Sequence, residues 1–380
     1  MTSHTSAPLA AIAIRQVEKN TGASRVALGQ IEALRQLGYQ VVILAEKGDA
    51  ERVAQAGAQL KKLWRWPFKG AFRRFWFNRR VQAWCQRHHP QLLVSHGDVV
   101  SPDVVFLHNC VHLAQSRIHG THLPPHHEVA AMHDFILNSP NQATIAVNSK
   151  MMGDELQQRY QIPATRIKVN YPGYDAAQFN LDTAQQLREP QREQLGLLPH
   201  QQLVGLITSG NFKKRNVDGF IRIASEVVKQ AADADKIRFL VVGKDDAAPY
   251  QKQCEEAGLQ QHFIWLTPQN NVEALYAALD LFVLPAHIEE FGCVALEAMA
   301  CGTPVLLSSW VGASEILKNH DSSLVLSDDN EQQWASRIND ILNTPTRVAQ
   351  GHALATLATQ YSHQHQYDKL KALFQSLINH

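Results

Sequence analysis

The chain has 380 residues, of which 45% are hydrophobic and 19% charged, and its formal net charge is +1. This composition is typical of a globular protein and excludes a disordered one, and the length exceeds what one hydrophobic core usually accommodates, so we expect two domains. Five cysteines, with no Cys-x-x-Cys pair, favour reduced thiols and a cytoplasmic location. No run approaches the roughly 20 apolar residues that span a bilayer, and the apolar residues 7–14 indicate a buried strand and not a signal peptide.

The first half of the chain alternates short apolar runs with helical patterns, which is typical of a parallel α/β domain. Helical patterns cover residues 24–37 and 149–160. The strand-like runs are residues 10–17, 41–45, 92–95, 104–107, 144–147 and 167–170. We assign this N-terminal Rossmann-like domain to residues 1–185 and expect it to bind the acceptor.

A basic aromatic segment, residues 61–87, interrupts this pattern. No acid occurs between Glu51 and Asp98, and residues 1–150 hold 17 Lys and Arg against 9 Asp and Glu. Such a surface favours contact with an anionic membrane, which predicts a peripheral protein on the inner face of the cytoplasmic membrane. A solvated basic face with its aromatic rings in the core is the alternative, and we expect no nucleic-acid binding because no zinc-finger spacing or RNA-binding aromatic signature occurs. The segment's basic residues are Lys61, Lys62, Arg65, Lys69, Arg73, Arg74, Arg79, Arg80 and Arg87.

After a polar stretch at residues 182–194 the strand pattern restarts. The new apolar runs are residues 203–209, 237–242, 263–266, 281–284 and 303–307. They predict a second parallel α/β domain, which we place at residues 186–355 as the domain that binds a nucleotide sugar. The remaining residues, 356–380, are helical in pattern.

The strongest motif lies in residues 285–305, where Glu289 and Glu297 are separated by seven residues and bracket a Phe291-Gly292 turn. An apolar run ends at Pro285, and residues 294–300 read as a helix. The two acids therefore flank a strand-to-helix loop, where ligands of doubly wound sheets bind and where a helix N-terminus attracts an anion. This arrangement predicts a site for a sugar nucleotide.

The motif resembles the donor-site signature of retaining glycosyltransferases of family 4, which have the α/β GT-B fold: two Rossmann-like parallel domains facing a cleft, with a last helix that crosses back to the first domain. The resemblance implies that Glu289 lies beside the donor hexose and that Glu297 holds the ribose hydroxyls. Backbone amides would meet hexose hydroxyls and phosphate. They belong to Phe291, Gly292, Cys293 and Val294. For Glu297 alone, a capped core helix is the competing interpretation.

Two further loops resemble the family's phosphate loops. Residues 20–25 follow the first strand, with Gly22 and Ala23 at the Gly-rich positions. In residues 209–218, Gly210 opens the loop, and Lys214 and Arg215 occupy its basic positions. Fixed cations stabilise the charge on a departing nucleoside diphosphate, so we expect neither a metal nor another cofactor. Asn216 stands where the family has glycine, and residues 170–175 resemble the turn at the domain junction.

His108 ends a buried strand, at the edge where ligands of parallel sheets bind, and matches the family's histidine near the reacting sugar. A satisfied core histidine is the alternative. The resemblance implies catalytic roles for Glu289, His108, Lys214 and Arg215, with front-side attack by the acceptor hydroxyl and no covalent nucleophile. Loops after residues 241–244 and at Thr267 would contact the base.

The sequence therefore predicts a metal-independent, retaining hexosyltransferase. Its donor would be a nucleotide sugar, a UDP-sugar favoured over GDP-mannose, and its acceptor a lipopolysaccharide core or lipid-linked glycan. A small soluble acceptor and a GT-B protein that binds a sugar nucleotide without transferring it are the alternatives. An NAD(P)-dependent oxidoreductase is less favoured, because Gly-x-Gly-x-x-Gly follows neither domain's first strand.

Overall fold

A computed structural model describes residues 7–18, 22–124, 126–327 and 329–378. The chain forms two compact units: unit 1 comprises Met1–Pro172 and Gln364–His380, and unit 2 comprises Gly173–His363. The sequence-based division placed the corresponding limits at 185/186 and 355/356.

Unit 1 contains, in its described part, a seven-stranded parallel sheet of order β3-β2-β1-β4-β5-β6-β7. The strands are β1 (Leu9–Ala13), β2 (Gln40–Ala45), β3 (Gln59–Lys62), β4 (Leu92–Ser95), β5 (Val104–Leu107), β6 (Thr144–Val147) and β7 (Ile167–Val169). Three expected strands, β4, β5 and β6, have the limits that the apolar runs predicted. The edge strand β3 was not predicted, because its sequence, Gln-Leu-Lys-Lys, contains no apolar run.

Helices cover both faces of this sheet. Ile12 of β1 packs in one core cluster with Leu34 of α1, whereas Ala13 packs on the other face with Phe77 and Val81 of α3. This alternation follows from the two-residue period of a strand. The helices are α1 (Gly22–Gln36), α2 (Ala50–Gln55), α3 (Ala71–His88), α4 (Val111–His119), α5 (Glu128–Leu137) and α6 (Lys150–Tyr160).

Unit 2 repeats the architecture with six parallel strands, in its described part, of order β10-β9-β8-β11-β12-β13. The expected α/β class with two Rossmann-like parallel sheets is therefore confirmed. Its strands are β8 (Gln202–Ile207), β9 (Ile237–Val242), β10 (Phe263–Leu266), β11 (Leu281–Leu284), β12 (Val305–Ser308) and β13 (Val325–Leu326). Its helices are α7 (Leu181–Gln194), α8 (Val217–Gln230), α9 (Ala248–Glu256), α10 (Val272–Ala278), α11 (Cys293–Ala300), α12 (Ser314–Lys318), α13 (Glu331–Asn343) and α14 (Arg347–Ala358).

Helix α7 corresponds to the polar stretch at residues 182–194, after which the strand pattern of the sequence resumes. Arg188 and Arg192 bind the buried Asp280 ahead of β11, at 2.8 and 3.1 Å, and Arg347 binds the same carboxylate at 3.2 Å. The backbone N–H of Leu203 also donates to Asp280, at 2.8 Å. Because a buried carboxylate needs such partners, the polar face of α7 is anchored in unit 2.

The last helix, α15 (His363–Ile378), contributes Leu370 and Phe374 to the core of unit 1 beside Ile12. At the start of unit 2, a Cβ on Gly173 would lie 2.6 Å from the backbone of Ser362, so this position admits only glycine without a shift. All five cysteines are free thiols. Over the described ranges, no helix is both long and apolar enough to cross a bilayer.

Candidate functional site

The loop between β11 and α11 carries Glu289 and is fixed by backbone hydrogen bonds to the loop after β12. Glu289 donates its N–H to the carbonyl of Trp310 and accepts the N–H of Gly312, each at 2.9 Å. Gly292, at φ 91°, is the N-cap of α11, and a Cβ there would lie 3.1 Å from Cγ1 of Val311. The positive φ and this close approach explain the glycine. Cys293 and Val294 form the first turn of α11, whose partial positive charge lies beside the Glu289 loop.

The loop after β8 carries the two predicted cations. Gly210 has φ 139°, and the carboxylate of Asp245 accepts the N–H groups of Asn211 and Phe212 at 2.9 and 2.8 Å. Asn216 has φ 57° and is the N-cap of α8. Its amide donates to the carbonyl of Pro285 at 3.0 Å, which ties this loop to the strand that precedes Glu289. Asparagine tolerates the left-handed region, so the loop forms without the glycine that similar loops carry.

Together these loops create a cluster of two acids and two cations at the carboxyl edge of the unit 2 sheet. Nη2 of Arg215 lies 2.5 Å from Oε2 of Glu289, and Nζ of Lys214 lies 3.9 Å from the same oxygen. Lys214 also forms an ion pair with Glu290. Burial raises the pKa of Glu289 and the charge of Glu290 adds to this, whereas Arg215 and Lys214 oppose the rise. Each predicted cation is therefore paired with an acid of the neighbouring loop.

Glu297 lies on α11, partly buried, and accepts a hydrogen bond from the hydroxyl of Tyr276 at 2.8 Å. Burial and the negative charge of Glu297 raise the pKa of Tyr276, which keeps the hydroxyl a donor. Thr267 follows β10 and is exposed, and its carbonyl accepts from the side chain of Gln269. Glu297 and Thr267 thus follow two different strands of one parallel sheet and lie at its carboxyl edge.

In unit 1, His108 follows β5 and belongs to a chain of hydrogen-bonded side chains. Its Nε2 lies 2.8 Å from Nδ1 of His96, whose Nε2 lies 2.9 Å from Oε1 of Gln30. Because a carbonyl oxygen only accepts, His96 donates to Gln30 and accepts from His108, which leaves Nδ1 of His108 with its lone pair. Burial lowers the pKa of His108 to about 4, with a smaller effect from His133. His108 is therefore neutral at pH 7.

Helix α1 begins at Gly22, which is exposed, and Ala23 is partly buried. The first two residues of the predicted loop at 20–25, Asn20 and Thr21, lie outside the described residues. The role of Gly22 and Ala23 at a donor phosphate stays a prediction.

The basic aromatic segment divides into an exposed part and a recessed part. Trp64, Phe68 and Phe72 are 57%, 70% and 55% exposed, whereas Phe77 and Trp84 pack in the core. Two recessed arginines bind acids: Arg65 lies near Glu46, and Arg74 forms an ion pair with Asp98. The third recessed arginine is Arg73, and the exposed basic residues are Lys61, Lys62, Lys69, Arg79, Arg80 and Arg87. Some aromatic rings of this segment thus lie in the core and others are exposed, and contact with a membrane stays a prediction.

No group of three or more His, Cys, Asp or Glu side chains that could hold a metal ion occurs within the described ranges. An Asp-x-Asp pattern, Asp233-Ala234-Asp235, lies in the turn before β9, at the sheet edge opposite Glu289, and Asp233 pairs there with Lys236 at 3.3 Å. Metal independence stays a prediction.

The sequence analysis did not identify four residues that shape these sites: Glu290, Asp245, Tyr276 and Gln30. Glu290 is adjacent to Glu289, and Asp245 follows the end of β9. The positions of both in the sequence could therefore have indicated that they lie at the site. Tyr276 and Gln30 lie within helical patterns and are brought to Glu297 and His96 by packing, which no local pattern indicates.

Two models of glycosyltransferase families match most of this chain. The family model described as Glycosyltransferase Family 4 matches residues 20–178, and the model described as Glycosyl transferases group 1 matches residues 189–355. A D-inositol 3-phosphate glycosyltransferase of Corynebacterium aurimucosum is 28% identical over 231 residues, which are 58% of this chain and 54% of that protein. The chain thus spans about half the length of the curated relatives it matches.

Solved structures with the same fold cover nearly the whole chain. The structure of WaaG, a glycosyltransferase involved in lipopolysaccharide biosynthesis, has a TM-score of 0.78 at 19% identity and covers 95% of this chain and 98% of its own. HepE of Anabaena in complex with UDP-glucose has a TM-score of 0.69 at 16% identity, with 97% and 99% covered. At these identities the likeness establishes the GT-B fold alone.

Proposed function

Because the chain belongs to the GT-B-fold glycosyltransferases, on two family models that together span most of it, we propose that it transfers a hexose from a nucleotide sugar with retention of configuration. The observation that carries the proposal is the cluster of Glu289, Glu290, Lys214 and Arg215, with Glu297 on the adjoining helix. A UDP-sugar is the favoured donor, with GDP-mannose as the alternative, and the UDP-glucose complex of a protein with this fold supports the first.

Donor binding exchanges partners within the cluster. The diphosphate, which carries more negative charge than one carboxylate, takes Arg215 and Lys214 and releases Glu289 toward the hexose. Glu297 accepts hydrogen bonds from the ribose hydroxyls while the hydroxyl of Tyr276 holds its carboxylate. Amides of Phe291, Gly292, Cys293 and Val294 meet hexose hydroxyls and phosphate.

Transfer proceeds by front-side attack. The bond between the sugar C1 and the diphosphate oxygen breaks, a bond from C1 to the acceptor oxygen forms on the same face, and the acceptor proton passes to the departing diphosphate. Lys214 and Arg215 stabilise the charge that develops on that diphosphate, so no metal is required. In unit 1, Nδ1 of His108 remains as an acceptor for a sugar hydroxyl, which is the role that the resemblance gives this histidine.

Two acceptor classes have support. A lipopolysaccharide core or lipid-linked glycan at the inner face of the cytoplasmic membrane fits the exposed Trp64, Phe68 and Phe72 beside exposed lysines and arginines, because an anionic membrane attracts such a surface. A small soluble acceptor is favoured by the relatives named D-inositol 3-phosphate glycosyltransferase. A protein that binds the nucleotide sugar without transferring it is the third candidate, and absence of turnover with intact nucleotide binding would favour it.

A thermal-shift panel with UDP, GDP, ADP, CMP and the matching sugar nucleotides tests the donor site. A nucleotide at 100 times its dissociation constant adds about 2.7 kcal/mol to the folded state, and we expect a shift selective for UDP or GDP. Glu297→Gln weakens the shift because it removes the charge that holds the ribose. Equal nucleotide affinity in Glu297→Gln would contradict the ribose role, and no shift with any nucleotide would contradict the donor site.

The diphosphate role is tested by removing Lys214 without stranding its buried acid. In Lys214→Met with Glu290→Gln the pair is replaced by neutral side chains, so folding is retained while turnover falls about 100- to 1,000-fold, as for loss of one electrostatic stabiliser. The exposed neighbour variant Lys213→Met is the matched control and keeps wild-type turnover. Wild-type rates in the double variant would remove Lys214 from the mechanism.

A further inference from the structure

Three polar side chains from separate elements of unit 1 form a hydrogen-bonded chain that ends at His108. Gln30 lies on α1, His96 follows β4 and His108 follows β5. Gln30 is fully buried and His96 is 8% exposed, whereas His108 is partly exposed. The chain therefore runs from the core to a position that a ligand can reach. We name these three residues the imidazole chain.

Gln30 is an unusual residue for its place in the core. It shares the buried face of α1 with Ala27, Ile31 and Leu34. Its Oε1 lies 2.9 Å from Nε2 of His96, whereas its own Nε2 is buried and has no hydrogen-bond partner among the residues that the structure describes. A buried amide nitrogen without a partner lowers the free energy of unfolding, and an apolar side chain of similar size would avoid this loss. The stability of the fold therefore does not explain the glutamine.

The ring of His96 is held on both sides. It stacks on the rings of Phe106 and His108, with centroids 5.8 and 5.0 Å apart and interplanar angles of 18° and 20°. Its Nδ1 lies 2.8 Å from Nε2 of His108, and its Nε2 contacts Gln30. Both nitrogens of His96 are thus engaged, and its ring cannot turn without losing both hydrogen bonds.

The glutamine at the start of the chain sets the direction of every hydrogen bond in it. Burial lowers the pKa of His108 to about 4 and that of His96 well below its ordinary value, so both rings are neutral at pH 7. A neutral imidazole has one N–H and one lone pair. Because Oε1 of Gln30 only accepts, His96 carries its proton at Nε2 and accepts Nε2–H of His108 at Nδ1. The lone pair of His108 is then at Nδ1.

We propose that Gln30 is a positioning residue, which acts through His96 to keep His108 in the tautomer that has its lone pair at Nδ1. The inference rests on the proposed function, in which this lone pair is the acceptor for a sugar hydroxyl. The hydrogen bond at one nitrogen of an imidazole determines which nitrogen is protonated, so two successive rings transmit the choice from Gln30 to the ligand. The subsite thereby favours a group that donates a hydrogen bond over an oxygen that only accepts one.

The experiment replaces the acceptor at the start of the chain. In Gln30→Met, an N–H of His96 would face an apolar side chain, which is less favourable than a lone pair at the same place. We expect the proton of His96 to move to Nδ1 and that of His108 to appear at Nδ1 as well. Long-range ¹H–¹⁵N correlation spectra of the ligand-free protein with ¹⁵N-labelled histidine distinguish the two tautomers, and His108 is assigned by its absence in His108→Asn.

Turnover gives the second measurement, with the sugar nucleotide that the thermal-shift panel selects. We expect kcat/KM of Gln30→Met to fall about 10-fold, which corresponds to one mismatched neutral hydrogen bond. A glutamine that serves only the fold would instead lower the melting temperature and leave the tautomer of His108 unchanged.

Two controls isolate the route through His96. Gln36→Met makes the same change at an exposed position of the same helix and should keep both the tautomer and the turnover of wild type. His96→Phe keeps a ring beside Phe106 but interrupts the chain, so Gln30→Met should have no further effect on turnover in that background. A second 10-fold loss there would show that Gln30 acts by another route and would overturn the proposal.

The spectra also separate failure of this inference from failure of the proposed function. The inference is overturned if His108 carries its proton at Nδ1 in wild type, if Gln30→Met leaves the tautomer unchanged, or if the tautomer reverses without a change in turnover. If no sugar nucleotide is turned over, the transferase proposal falls, while the spectra still decide whether Gln30 sets the tautomer of His108.

Discussion

Asn216 shows how one side chain can replace a glycine and add a function. Its φ of 57° lies in the left-handed region, its Oδ1 accepts the N–H of Gly219 at 3.1 Å, and its Nδ2 donates to Pro285 at 3.0 Å. A Cβ on Gly219 would lie 2.3 Å from Oδ1 of Asn216, so Gly219 provides the space. Asn216 thereby caps α8 and links the loop of Lys214 and Arg215 to the strand that leads to Glu289.

Asn216→Ala should lower the free energy of unfolding of unit 2 by about 2–4 kcal/mol. The change removes an N-cap, leaves the Pro285 carbonyl without its donor and places alanine in the left-handed region. Asn216→Gly relieves only the last of these and should cost about 1–2 kcal/mol. Urea denaturation followed by circular dichroism measures both values.

The matched control is Asn180→Ala, which removes the N-cap of α7, where Oδ1 of Asn180 accepts the N–H of Thr183 at 2.9 Å. Its cost should be about 1 kcal/mol. A loss for Asn216→Ala no larger than for Asn180→Ala would show that the link to Pro285 contributes nothing.

At the scale of elements, α3 separates two kinds of basic residue that one sequence pattern presents together. Phe77, Val81 and Trp84 face the core. Near its start, Arg73 and Arg74 are half-buried, whereas Arg79 and Arg80 are exposed. Because membrane attraction acts on charges at the surface, the predicted contact with a membrane would involve the second pair, together with Lys61 and Lys62 of β3.

Replacing Lys61, Lys62, Arg79 and Arg80 by Glu should abolish salt-sensitive binding to anionic vesicles. Each basic residue near such a surface contributes about 1 kcal/mol, and the attraction of exposed charges is screened by salt. Sedimentation with phosphatidylglycerol vesicles at low and high salt measures it. A second variant, Trp64→Ser with Phe68→Ser, keeps the charge and should retain salt-sensitive but weaker binding.

Unaltered sedimentation of the four-Glu variant would reject the membrane surface. Arg73→Gln, which changes a half-buried arginine of the same helix, serves as the control and should keep wild-type sedimentation.

At the scale of the whole molecule, the buried histidines make stability depend on pH. His96 follows β4, His108 follows β5, and His133 lies on α5. All three lie at one edge of the unit 1 sheet. Burial lowers the pKa of His108 and of His133 to about 4 and that of His96 well below its ordinary value. In the unfolded chain these side chains have pKa values near 6.5.

The folded state therefore binds fewer protons than the unfolded state below pH 6.5. The contribution of these histidines to the free energy of unfolding is fully present above pH 6.5 and is lost as the pH decreases toward 4. Each histidine lowers the free energy of unfolding by up to about 1.4 kcal/mol per pH unit. We expect the melting temperature of unit 1 to drop between pH 6.5 and 4, and His133→Gln to reduce the drop. The exposed His126→Gln should not reduce it, and identical pH profiles for all three proteins would contradict the assignment.

Local patterns in the sequence determined much of the fold. Apolar runs located β4, β5, β6, β9, β10 and β11 to the residue, because strands of a parallel sheet covered by helices are mainly apolar. The Glu289–Glu297 loop was also found from sequence, since its strand end, its turn glycine and its helix start are neighbours in the chain. The helical pattern at residues 149–160 likewise located α6, which begins directly after its N-cap Ser149.

Other features depended on contacts between residues far apart in the chain. The edge strand β3 has no apolar signature, because an edge strand tolerates lysines that solvent covers. Likewise, only the folded sheets bring together the segments that bury Arg73, pair Lys214 with Glu290 and join Tyr276 to Glu297. The sequence by itself thus determined most of the strands and the loop that carries Glu289 and Glu297. Strand order and packing decided which charges meet, because electrostatic partners are set by distance in space.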